Sequence, residues 1–408
     1  MFYLMLSIYA LLALKYRKQR LVLLFLLLQI ASLVSVIVVQ LDDYSDNDKT
    51  LFNVILMIAL TLPIILPYKS YSYITTIKQI PTKKFNKLST LLFIIGGFSF
   101  IFLLATALFV NLMVSDINAF RQEEGAAVDF YYKVLPFDVR FFILAYSLYY
   151  FSYFFIPLHF YCQYIGDKKR ATIYLILSCN LILYGLTFFS RWAIVLFVLL
   201  YTAHWVCYSK LIPEKERKKE LKWMKIVGVA LAAFFLMVTF SRFENATAYE
   251  REQVNPDALV KNTSVYSMFD YLGKSNSRSL YYLNDYKGRT FGGRYLISET
   301  QNFFSIIRIV PPLDVRDCTD KIWTEYQGTF RTYACYLFFD VGYIFAIVLS
   351  IIIMAMLGRR GKIISFDKYI VSSLFMMVPI CSIFFSYLNV FLLCLIFHGF
   401  IKLFLKLA

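Results

Sequence analysis

Charge is scarce in this chain. Asp, Glu, Lys and Arg together make up 17% of its 408 residues, against about 25% in an ordinary soluble domain. Apolar residues fill 60% of it, and the mean hydropathy is +0.62. Both values lie on the membrane side of the soluble range. Histidine is scarcer still: His159, His204 and His398 all fall inside apolar runs. None lies between residues 241 and 331, so a histidine base on that segment is excluded. The seven cysteines show no Cys-x-x-Cys spacing, and only Cys318 falls clearly in a connection. That pattern argues against a disulfide framework and against a zinc site. No cleavable leader is expected either. A leader carries its positive charge ahead of its apolar stretch, whereas here Lys15, Arg17, Lys18 and Arg20 follow the apolar residues 1–14. No internal repeat or low-complexity tract is present.

What is present is a series of apolar runs, at 1–14, 21–41, 51–68, 88–113, 141–165, 171–189, 192–208, 226–240, 332–357, 369–388 and 389–407. Most approach the ~20 residues needed to cross a hydrocarbon layer as a helix. The expected fold class is an all-α integral membrane protein with 10–11 transmembrane helices, the count turning on whether residues 1–14 span. The net charge of +16 would point to nucleic acid in a soluble protein. Here its placement matters more than its sum, and no nucleic-acid partner is expected. Connections 15–20, 69–87, 166–170, 209–225 and 358–368, with Lys402 and Lys406, hold 25 Lys and Arg. Connections 42–50, 114–140 and 190–191 hold 5. The positive-inside rule puts the first set, and the C-terminus, in the cytoplasm.

The expected organisation has three parts: a bundle of about seven or eight helices over 1–240, a large outer loop over 241–331, and about three helices over 332–408. The loop carries fifteen aromatics, among them Tyr282, Phe291, Tyr295 and Tyr326. It is too aromatic for a disordered tether and should fold against the mouth of the bundle. Between 274 and 294 it holds Lys274, Arg278, Lys287, Arg289 and Arg294 against Asp285 alone. Arginine forks grip phosphate oxygens, and aromatic faces stack on sugars. The same composition also fits a solvated charged loop with packing tyrosines.

Four further features carry candidate chemistry. Arg331 and Gly342 are eleven residues apart. On one continuous helix they share a face about 16 Å apart. Tyr333, Tyr336 and Asp340 form a second stripe there, and a buried aspartate needs a polar cavity or a hydrogen-bonding neighbour. Ser190-Arg191 sits in a tight turn between two spans, where Arg191 either snorkels to headgroups or holds a diphosphate. Asp46-Asn47-Asp48 matches a short metal-binding pattern, but an acidic outer loop is already expected from topology, so no metal site is assigned. Tyr146, Tyr150 and Tyr153, with Pro157, read as helix packing and an interfacial belt, with a groove lining as the other reading.

Together these features resemble the O-antigen polymerase family, the oligosaccharide repeat-unit polymerases. The resemblance rests on the architecture and on three short stretches: SRWAIVLFVLLY (190–201), GRTFGG (288–293) and TFRTYACYLFFDVG (329–342), the last containing an Arg-x10-Gly. Trp192 stands where the family often has glycine after Ser-Arg. The resemblance implies a glycosyltransferase-C-like bundle in the bacterial inner membrane with its large loop in the periplasm. It implies an enzyme that joins undecaprenyl-diphosphate-linked oligosaccharides by glycosyl transfer, with the lipid diphosphate leaving. No metal and no cofactor are implied. Expected partners are that lipid-linked oligosaccharide, membrane lipid and a polysaccharide chain-length regulator. Under this reading Arg191, Arg289, Arg294 and Arg331 surround the diphosphate. Glu299, Glu325 or Asp340 serves as base, and Arg278, Lys287, Tyr282, Tyr326 and Tyr336 bind substrate. The alternatives are an O-antigen ligase, which often uses a loop histidine, and a lipid-linked oligosaccharide flippase or other transporter, which predicts short loops on both sides. A multi-helix acyltransferase would carry histidine or paired acidic motifs near the membrane face, and none is found.

Overall fold

The computed structural model describes residues 2–40, 50–114, 127–190, 192–244, 254–284, 286, 288–306, 308–311, 313, 332–358, 361–383 and 386–407. A long apolar run that must satisfy every amide within itself forms a helix, and helix dominates here. In chain order the first helices are α1 (Phe2–Lys15), α2 (Arg20–Val39), α3 (Thr50–Thr61), α4 (Ile65–Tyr71), α5 (Thr82–Met113) and α6 (Ala127–Val134). Next come α7 (Val139–Leu148), α8 (Ser152–Tyr164), α9 (Lys168–Ser178), α10 (Asn180–Thr187), α11 (Trp192–Tyr208) and α12 (Glu214–Glu244). Two helices, α13 (Thr263–Asn284) and α14 (Arg294–Ile306), lie in the expected outer loop. The chain closes with α15 (Tyr333–Val341), α16 (Tyr343–Gly358), α17 (Phe366–Phe375), α18 (Met377–Cys381) and α19 (Leu388–Leu407).

Seven helical stretches among the described residues are long and apolar enough to cross a membrane. They are Arg20–Val39, Thr50–Tyr71, Thr82–Met113, Val139–Tyr164, Lys168–Thr187, Trp192–Leu211 and Leu388–Lys406. Phe2–Lys15 and Tyr343–Gly358 are apolar but shorter. The architecture is compatible with a helical membrane protein.

The basic connections gather at one end. Strand β1 (Thr76–Lys78) pairs in parallel with β2 (Ile363–Ser365), in the register Thr76↔Ile363, Ile77↔Ile364 and Lys78↔Ser365. Ile77 and Ile364 are buried beneath the pair. Arg170 donates to Asn86 at 2.7 Å, Lys168 pairs with Glu216 at 2.6 Å, and Lys210 donates to the Ser72 carbonyl. Lys402 reaches Asp367 at 3.1 Å. Five connections far apart in the chain therefore share one surface. At the opposite end Tyr131 donates to the Thr187 carbonyl at 2.6 Å, and Asn53 donates to Asn284 at 2.7 Å.

Two expectations change. The re-entry segment is not one helix. It breaks at Gly342 (φ 80°) between α15 and α16, a backbone state that favours glycine. Gly342 caps the end of α15 rather than continuing the helix. Arg331 itself lies outside the described residues. The outer loop also does more than cover the mouth, because α13 packs along α2. A Cβ on Gly273 would stand 2.8 Å from the Val36 amide nitrogen, so only glycine permits that approach. Ser32 donates to the Leu272 carbonyl at 2.7 Å, and Asn276 donates to Ser32 at 2.8 Å. The small polar residues Ser275, Asn276, Ser277 and Ser279 of α13 are buried, Asn276 against α2 and Ser279 on Thr332 at the start of α15. Polar bonds between helices replace the missing hydrophobic drive where the surroundings are themselves apolar.

Candidate active site

A large chamber lies at the end opposite the basic connections. Its volume is about 760 Å³, within the ~300–1,000 Å³ of small-molecule sites. Helices α7 and α8 join through a single tight 3₁₀ turn, Tyr149–Phe151. Tyr146, Tyr149, Tyr150 and Tyr153 lie at i, i+3, i+4 and i+7, one helical stripe, and all four border the cavity. Both readings of the tyrosine stripe apply: Tyr149, Tyr150 and Tyr153 are buried by packing, and the stripe also borders the chamber. Opposite it, Tyr184 of α10 stacks on Tyr149, with ring centres 4.0 Å apart and planes 2° from parallel.

The turn between α10 and α11 forms another wall. Phe189 takes a left-handed backbone state (φ 50°), and the Ser190 amide folds back to the Gly185 carbonyl at 2.8 Å. Ser190 and Trp192 both line the chamber, and the Trp192 indole donates to the Tyr387 hydroxyl at 2.5 Å. Arg191, between them, lies outside the described residues.

The floor is α14. Its residues Tyr295, Glu299, Asn302, Phe303 and Ile306 face the cavity, spaced along one side of the helix. Glu299 is the one charged side chain among the described lining residues. Its Oε2 accepts a hydrogen bond of 2.5 Å from the Tyr150 hydroxyl. Burial raises the Glu299 carboxyl above its ordinary value, and the Tyr150 bond opposes that rise. Glu299 retains intermediate exposure although protein surrounds it almost entirely, because its accessible atoms border the chamber.

Asp340 holds this floor in place. It is fully buried, and its Oδ1 and Oδ2 accept from the amides of Tyr295 (3.1 Å) and Leu296 (3.0 Å). These are first-turn donors of α14 that lack partners within the helix. The Asp340 carbonyl takes the Gly293 amide at 3.1 Å, and the Phe339 carbonyl takes that of Phe291 at 2.9 Å. Tyr336, one turn earlier, stacks on Tyr295 at 4.2 Å. Asp340 and Tyr336 thus both face α14, as their spacing predicts, and Asp340 acts as its cap.

The other expected site residues scatter. Arg289 and Arg294 are exposed and are not among the residues lining the chamber, Arg294 being the first residue of α14. Arg278 is half-buried on α13, a helix that contributes nothing to the chamber wall. Tyr282 is buried, edge-on to Phe339, and offers no open face for a sugar. Lys287, Glu325, Tyr326 and Arg331 lie outside the described residues, as does the Asp46-Asn47-Asp48 stretch. Sequence reasoning missed Tyr149, Tyr184, Trp192, Asn302, Tyr387 and Asn389. The signal for the first of these was the density of hydroxyl-bearing rings in 146–153, too many to be satisfied against lipid.

No protein-family model, no curated protein and no solved structure matches this chain.

Proposed function

We propose that this chain is a polysaccharide polymerase, which joins oligosaccharide repeat units carried on a polyprenyl diphosphate. The observation that carries the reading is the tyrosine-walled chamber with Glu299 as its one described charge. Flat rings bordering a polar cavity suit saccharide faces, and amides and hydroxyls from Asn302, Asn389, Ser386 and Ser190 suit sugar hydroxyls. The acceptor sugar hydroxyl gives its proton to Glu299 as its oxygen bonds to the anomeric carbon of the donor chain. The anomeric bond to the diphosphate breaks, and the diphosphate leaves on its lipid with the electron pair. Of the three candidate carboxylates, Glu299 is favoured: Asp340 spends both oxygens on backbone amides. Arg191, Arg289, Arg294 and Arg331 are the cations proposed to stabilise the leaving diphosphate.

The reading places the chamber on the periplasmic side of a bacterial inner membrane, with the basic end and the C-terminus in the cytoplasm. A glycosyltransferase-C-like bundle and a chain-length-regulating partner belong to the same proposal. The test is a gel of surface polysaccharide from a strain deleted for this chain. Deletion should collapse the ladder to core plus one repeat unit. Wild type should restore it, and Glu299→Gln should not. Accumulation of long lipid-linked polymer would instead mark a ligase. Loss of even the single-repeat band would mark a protein that acts earlier, such as a flippase.

A further inference from the structure

We infer that Tyr150 is the positioning residue for transfer: it clamps one oxygen of Glu299 so that the other meets the acceptor hydroxyl. This inference rests on the polymerase reading. Tyr150 sits in the 3₁₀ turn between α7 and α8, and its own placement is over-determined. Its ring packs on Tyr149 with centres 4.3 Å apart. Its carbonyl takes the Cys394 thiol of α19 at 4.0 Å. The residue is 6% exposed, so its hydroxyl has little freedom. That hydroxyl donates to Glu299 Oε2 at 2.5 Å, and among the described residues Oε1 has no hydrogen-bond partner. A base held by one oxygen keeps the other lone pairs aimed at substrate, and aim of this kind is a large part of what an active site contributes.

The groups around Glu299 make Tyr150 the natural control point. Tyr146 and Tyr150 approach from α7 and its turn, Tyr184 from α10, Tyr387 from the segment before α19, and Tyr295 from Glu299's own helix. None of these described neighbours is a cation. Among the described residues the carboxylate is held by a hydroxyl donor and by no ion pair.

Tyr150→Phe keeps the ring and its contact with Tyr149 and removes only the donor. The purified full chain in lipid nanodiscs is assayed with a polyprenyl-diphosphate-linked saccharide as donor and acceptor. Glu299 is titrated in parallel by difference infrared, wild type minus Glu299→Gln. In Tyr150→Phe, kcat should fall roughly tenfold or more, with KM changed by less than about twofold. The acid limb of the kcat profile and the infrared midpoint should both move to higher pH. Fluorotyrosine at position 150 keeps the fold and strengthens the donor, so both midpoints should move to lower pH. Transfer by wild type with the Glu299 midpoint unmoved in both variants overturns the positioning role alone. No transfer by wild type, with the midpoint shifted, overturns the polymerase reading instead and shows that the pair serves something else.

Discussion

The two ends of the bundle handle polar groups in opposite ways. At the basic end, charges answer one another. Lys402 and Asp367, Arg170 and Asp167, and Lys218 and Glu214 pair within 3.4 Å. His159, Gln163 and Glu220 form a connected cluster where α8 meets α12. At the other end a chamber of about 760 Å³ is left between α7, α10, α11, α14 and α19, with one described carboxylate and many hydroxyls on its wall. Polar groups that satisfy each other close a surface. Polar groups left facing a cavity await something that enters it. The contrast is the ground for proposing the chemistry at the tyrosine end.

The sharpest way to break the comparison is Glu299→Gln. If the carboxylate is the base, transfer should fall by about 10²–10⁴, read as loss of polymer from lipid-linked repeat units. The same assignment sets a pH dependence. The base works ionised, and burial raises its proton affinity. Activity should therefore fall as pH drops, beginning higher than for a solvent-exposed glutamate. A rate profile flat through the weakly acidic range would remove Glu299 from that role.

Asp340→Ala probes the support of the chamber rather than its chemistry. Two backbone donors of α14 lose their acceptor in a buried place, and each such loss costs about 1–3 kcal/mol. Thermal unfolding in detergent should drop accordingly, and transfer should drop with it, because Glu299 rides on α14. Gly273→Ala tests the seam between α13 and α2. The new methyl meets the Val36 backbone, which cannot swing aside, so a loss of about 1–3 kcal/mol is expected, with smaller effect on transfer in the folded fraction. At the basic end, Lys402→Ala should change stability by less than about 1 kcal/mol. A loss as large as that of Asp340→Ala would erase the proposed difference between the two ends.

The regular part of this architecture was open to sequence reasoning. Apolar runs mark the helices because a membrane-length segment must close its own hydrogen bonds. The segregation of Lys and Arg paired connections that the structure then brings together, as at β1 and β2 and at Lys168 and Glu216. Asp340 was legible in its structural reading: its spacing from Tyr336 placed both on one face, and that face meets α14. Tyr150 and Tyr153 were visible as a stripe, but a stripe of tyrosines reads the same whether it packs on a helix or borders a void. Glu299 could not be ranked above Asp340 or Glu325, since a carboxylate's role depends on what its oxygens touch.

The sequence by itself therefore determined the class of structure: helices of membrane length, one end rich in cations, and a late aromatic segment. Those properties follow from composition and local periodicity, which each segment carries alone. The tertiary structure alone decided that α13 lies along α2, that the re-entry segment breaks at Gly342, and that α7, α10, α11, α14 and α19 leave a chamber between them. It alone separated Asp340, with both oxygens capping a helix, from Glu299, with one oxygen on Tyr150. Those distinctions arise from contacts between residues as much as 244 positions apart, and no local pattern records them.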